Sequence, residues 1–70
     1  STYMNNIEKQ IVKLFKQKKI STIPLGECAK ELNMTSINLL RHLKYSSHLL
    51  REYELDEFGR IRSYLTLKHE

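Results

Sequence analysis

Leu32-Asn33-Met34-Thr35-Ser36-Ile37-Asn38-Leu39-Leu40-Arg41-His42-Leu43-Lys44 decides how the rest of the chain is read. Its pattern is that of one helix ending, a tight turn, and a second helix carrying cations on one side. Asn33 stands where a short helix-to-helix turn needs left-handed dihedrals, which Asn tolerates best after Gly. Thr35 has the side chain to cap the next helix, its hydroxyl accepting from the orphan N–H groups of the first turn. Leu39 and Leu43, four apart, share a face with Met34 and point to a core. Ile37, Leu40, Arg41 and Lys44 fall on another face, also at helical spacing. That second face is left over for a partner.

The 70 residues suffice for one domain, spanning 1–70. A chain this short buries only about 60% of its unfolded surface. With 40% hydrophobic and 29% charged residues, the composition is that of a globular domain rather than a disordered one. No apolar run nears the roughly 20 residues of a membrane span, and no signal-peptide pattern is present. Cys28 is the single cysteine, which excludes an internal disulfide and suits an intracellular, reducing compartment, cytoplasm or nucleus. The opening Ser1-Thr2 reads as a domain excised from a longer protein, or a processed or tagged chain.

The formal net charge is +4. Residues 1–20 carry five Lys against one Glu, residues 47–70 four cations against five acids. A basic total points to polyanion partners, but most of the excess lies on the first predicted helix. There Lys16, Lys18 and Lys19 also complement the dipole at a helix C-terminus, without any phosphate.

Asn5 or Asn6 caps that first helix, and Asn5 with Glu8 has capping-box spacing. Ile7, Ile11, Leu14 and Phe15 form its apolar stripe, opposite Lys9, Gln10, Lys13 and Lys16. Ile20-Ser21-Thr22-Ile23 reads as an edge strand or extended linker ending at Pro24. Pro24 suits the first position of a second helix, whose stripe is Leu25, Cys28, Ala29 and Leu32. Cys28 on that stripe is a small buried hydrophobe, since no Cys or His partner lies near it. The third helix is expected to end near Tyr45-Ser46-Ser47. The periodicity then switches towards 2 over Leu49–Leu55 and Arg60–Leu67, two strands joined by Asp56-Glu57-Phe58-Gly59, with Gly59 supplying positive φ. In the last strand Ile61, Leu65 and Leu67 share one face, and Arg60, Arg62, Tyr64 and Lys68 the other. The expected class is α+β, mainly α.

Leu25-Gly26-Glu27-Cys28-Ala29-Lys30-Glu31-Leu32-Asn33-Met34-Thr35 resembles the helix-turn entry of winged helix-turn-helix domains. Leu39-Leu40-Arg41-His42-Leu43-Lys44 resembles their recognition helix, and Asp56 to Leu67 their β-hairpin wing. The resemblance covers essentially the whole chain. It implies three helices, a short strand after the first, and a C-terminal hairpin, but not one function, because the scaffold serves DNA binders and protein-binding modules alike. The chain departs from the family pattern at Ser46, where a core leucine is usual, and at Ser47-His48, where a glycine commonly precedes the first wing strand. The Asn and Tyr that mark the Z-DNA-binding subgroup would fall at Leu40 and Lys44, so that signature is absent.

Two functional expectations follow. In the first the chain binds double-stranded DNA as part of a transcription or replication factor. The third helix lies in the major groove, with Arg41 reading guanine and Leu40 and Lys44 beside it. Thr35 and Ser36 meet phosphate at the helix N-terminus, and Lys30, Arg60 and Arg62 meet the backbone. Five engaged cations would give a salt slope of roughly −4, although each taken singly reads as a solvated surface residue. In the second expectation Ile37, Leu40 and Phe58 contact another protein, since apolar side chains are uncommon where a helix reads a groove. Acidic Glu54, Asp56 and Glu57 around Phe58 would repel phosphates and favour this alternative. Against it, Ile37 packed under the hairpin and Phe58 folded back would leave no such surface. An enzyme is not expected. His42, His48 and His69 lack metal-ligand spacing, the acids cluster on an exposed turn, and no Gly-rich phosphate loop occurs. No metal, cofactor, small-molecule substrate or membrane partner is implied.

Overall fold

The computed structural model describes residues 3–68; His69 and the Ser1-Thr2 opening lie outside it. Helix α1 spans Asn6–Lys18, strand β1 Thr22–Pro24, α2 Leu25–Glu31, α3 Ser36–His42, β2 Leu49–Leu55 and β3 Ile61–Leu67. The fold is a small α+β arrangement of three helices and one three-stranded antiparallel sheet, ordered β1-β3-β2.

Local chemistry sets the helix ends. Asn5 caps α1 through a capping box: the Glu8 N–H donates to Asn5 Oδ1 (2.8 Å) and the Asn5 N–H to Glu8 Oε1 (3.0 Å), which satisfies two donors reciprocally. At the other end Lys19 takes φ 56°, and the Ile20 N–H reaches Phe15 O at 3.0 Å. The same motif closes α2. Asn33 has φ 57°, the Met34 N–H donates to Ala29 O (2.9 Å) and the Asn33 N–H to Lys30 O (3.1 Å). This is a Schellman turn, with Asn in place of the usual Gly. Pro24 sits one position earlier than expected: it ends β1 and is the N-cap of α2, with ψ 137°. Thr35 Oγ1 accepts the Asn38 N–H at 3.2 Å and so starts α3.

Helix α3 ends at His42, short of the expected Tyr45–Ser47. The His42 carbonyl is taken from outside by Asn5 Nδ2 (3.0 Å), and the next N–H groups make i→i+3 bonds, Leu43 to Leu40 O and Ser46 to Leu43 O, both 3.1 Å. These tighten the backbone out of the α-helix.

The core is Ile11 and Phe15 of α1, Ile23 of β1, Leu25, Cys28 and Ala29 of α2, Leu39 of α3, and Leu49 and Leu65 of the hairpin. Met34, Leu40 and Leu43 pack against it, half-buried. Thus one sheet face is internal, with Ile23 opposite Leu65 and Leu49 opposite Leu67. Alternation along the hairpin puts Arg51, Tyr53, Leu55, Ile61 and Ser63 on this same inner face, further towards the tip. Ile61, expected inward with Leu65, does share its face but is 70% exposed. Its rung, paired with Leu55, lies beyond the reach of the helices.

Candidate nucleic-acid interface

Helix α3 and the inner face of the hairpin bound an open groove of about 460 Å³. Its floor is Leu40, Leu43, Leu49 and Leu65, with Ile37 beside it. Its charged residues are Arg41 and Lys44 from α3 and Arg51 from β2, and no acid lines it. Ile37 is 68% exposed, so the helix keeps an apolar side chain in solvent. Leu40, read from the sequence as part of the outward face, is half-buried instead. Its side chain packs on the core and its upper surface forms the groove floor. Packing against the core turns Leu40 partly inward, which spacing along one helix does not reveal.

The expected site residues fall into three places. Leu40, Arg41 and Lys44 come together with Ile37 at the groove. Arg41 Nη1 reaches Asn38 Oδ1 only at 3.5 Å, and the Lys44 ammonium stands 5.4 Å from the Tyr45 ring, so both cations are held loosely. Lys30, Thr35 and Ser36 lie together at the α2–α3 turn around a shallow hollow that also includes Asn33 and Gly26. Lys30 is exposed there, Ser36 is half-buried, and the Thr35 hydroxyl already accepts from Asn38.

Arg60 and Arg62 are not brought to the groove. Arg62 pairs with Glu54 in register, on the outer face of the sheet, its guanidinium 5.9 Å from the Tyr64 ring. Arg60 is engaged at the tip: its Nε donates to Asp56 Oδ2 (2.9 Å), and its guanidinium stands 5.1 Å from the Phe58 ring. Strand alternation separates both from Arg41 and Lys44. The hairpin cation that does face α3 is Arg51, with its guanidinium 4.8 Å from the centre of the Tyr53 ring. Sequence reasoning missed it. The available signal was parity: Arg51 is an even number of residues from the core position Leu49, whereas Arg62 is an odd number from Leu65.

The acids of the hairpin are also sorted by face. Glu52 and Glu54 point outward, accepting from Thr66 Oγ1 (2.6 Å) and Tyr64 Oη (3.4 Å), and Thr66 meets Thr22 at 3.2 Å. Asp56 is turned into its own loop. Its Oδ1 accepts the N–H groups of Phe58 and Arg60, each at 2.8 Å, and Gly59 takes φ 78° to close the turn. The Arg60 and Phe58 backbone bonds, with Arg60's side chain and nearby Arg62, hold the Asp56 carboxyl below its ordinary range. Phe58 is exposed at the tip.

On the opposite flank of α3 the polar groups serve the fold. Glu8 is buried, and the Ser46 hydroxyl donates to its Oε2. The Ser46 oxygen in turn accepts the N–H groups of His48 (3.2 Å) and Leu49 (3.1 Å), where β2 begins. The Ser46 side chain thus links α1 to the root of the hairpin. Elsewhere in the core, burial, then the carboxylates of Glu31 and Glu27, push the Cys28 thiol up to about 11. Among the described residues no three His, Cys, Asp or Glu gather as a metal site, and no helix is long and apolar enough to cross a membrane. No protein-family model, curated protein or solved structure matches the chain.

Proposed function

We propose that the chain is a winged helix-turn-helix domain that binds double-stranded DNA through α3, with the hairpin as a wing. The observation that carries this reading is the groove between them, which joins Arg41, Lys44 and Arg51 with no acid in its lining. The element order, and a sheet in which β3 lies between β1 and β2, support the family assignment. Of the three hairpin acids, Glu54 faces outward and Asp56 is bonded within its turn, which supports this reading, while Glu57 stays exposed at the tip and favours the alternative. Arg41, on the last turn of a short exposed helix, is the base-reading candidate; Lys30, Lys44 and Arg51 neutralise phosphate.

The test is a fluorescence-anisotropy titration of duplex DNA at several salt concentrations. The reading expects a Kd tighter than about 10⁻⁶ M at physiological salt, with a slope of roughly −3 to −4 for four cations. Arg41→Ala should cost about 1–3 kcal/mol and relax preference at one base pair. A Kd weaker than about 10⁻⁴ M would sink it.

The alternative, a protein-interaction module using Ile37, Leu40 and Phe58, draws support from the exposure of Ile37 and Phe58. The two readings part at Ile37→Asp, which the alternative expects to abolish a protein complex while DNA affinity stays at background in both forms.

A further inference from the structure

Duplex binding uses the cations of the groove but not its apolar surface. Ile37 on α3, and Tyr53, Leu55 and Ile61 on the inner face of the hairpin, are all more than half exposed. They extend the hydrophobic floor from the groove towards the tip. Arg51 and Ser63 lie on the same face between the groove floor and the tip, and an apolar strip punctuated by same-sign charge is matched by a surface that is mainly apolar and acidic where it meets the cations.

We infer that this strip is the docking site for an acidic amphipathic helix of a partner protein. Charge complementarity selects the occupant at the groove end of the strip, where Arg41, Lys44 and Arg51 stand with no acid in the lining; Glu52 lies on the other sheet face, and Glu54 borders the strip only at its far end, beside Tyr53, Leu55 and Ile61. The same distribution selects a helix over an added strand. An acidic strand on the open edge of β2 would lie beside Glu52 and Glu54 as well as Arg51, whereas a helix laid on the inner face meets the cations. The length follows from the strand. From Leu49 to Leu55 is six steps of about 3.3 Å, or about 20 Å, which a helix covers in about 13–14 residues. Such a helix presents anchors at i, i+3, i+4 and i+7, with Glu on its flanks. The inference goes beyond duplex binding and does not depend on it, because it is read without nucleic acid.

The probes are synthetic peptides of about 14 residues with Leu, Ile or Phe at the anchor spacing and Glu elsewhere, each beside a scrambled control of equal charge. Isolated helices of this length are marginal in water, so binding is followed both by calorimetry and by gain of far-UV helical signal. Saturable one-to-one binding with helix gain is expected, weakened about tenfold by Ile37→Ser and by Ile61→Ser. Both are exposed positions whose variants keep the fold. Arg51→Glu is expected to weaken binding further, and Arg62→Glu to leave it unchanged. Equal binding of the scrambled peptides, binding without helix gain, insensitivity to Ile37→Ser and Ile61→Ser, or failure of every ordered peptide to saturate overturns the inference. A separate titration with duplex DNA reports on the DNA reading alone. If both ligands bind, the peptide should displace the duplex.

Discussion

The two flanks of α3 use their polar side chains in opposite ways. On the flank towards α1, Asn5 holds the His42 carbonyl, and Ser46 joins Glu8 to the first amides of β2. Asn5, Glu8 and Ser46 are bonded to the protein itself. On the flank towards the hairpin, Arg41, Lys44 and Arg51 have no acid among them, and Ile37 stands in solvent. The contrast separates side chains that hold the molecule together from those free to meet something else. Residue type does not draw that line; partner and burial do.

The largest effect expected from breaking this contrast lies on the closed flank. Ser46→Leu leaves buried Glu8 without its hydroxyl donor and removes the oxygen that accepts from the His48 and Leu49 amides. A loss of about 3 kcal/mol in urea unfolding is expected, with the melt still cooperative. A gain in stability would mean that the linkage is dispensable and that leucine packing dominates.

On the open flank, Arg51→Ala should cost about 1 kcal/mol of duplex affinity and reduce the salt slope by about 1. Arg62→Ala, on the outer face, should change neither. Equal losses at the two positions would show that the groove is not the binding surface. Stability should move little in either variant, since exposed substitutions usually fall within about 0.5 kcal/mol.

Smaller still is Lys19→Gly. Lys19 holds a left-handed conformation that glycine adopts without strain. Part of the gain is offset by the freedom glycine adds to the unfolded chain, leaving about 0.5 kcal/mol of stabilisation in the same unfolding assay. The smallest effect is local to the hairpin tip. The folded Asp56 carboxyl is held below its ordinary value. Its contribution is therefore complete above the unfolded pKa of about 3.9 and lost as pH falls through the lower folded value. Amide exchange at Phe58 and Arg60 should accelerate in that acid range, while the Glu8–Ser46 flank is compared in the same spectra. In Asp56→Asn the acid-dependent change should vanish.

Features confined to a few neighbouring residues were legible in the sequence. The Asn5–Glu8 capping box, the Thr35 cap and the left-handed Asn33 and Gly59 need only bonds and dihedrals reaching four residues or fewer. The element order and the buried stripe of Leu25, Cys28 and Ala29 follow from periodicity, which a chain of this length can satisfy in few ways. Tertiary structure decided the rest, because it joins residues far apart in the chain. Ser46 meets Glu8 across 38 positions, and packing against the core turns Leu40 from an outward residue into part of a groove floor. Which hairpin cation faces α3 depends on which strand face is buried. That selects Arg51 and sends Arg62 to the other side, since a strand must place alternate side chains on opposite faces.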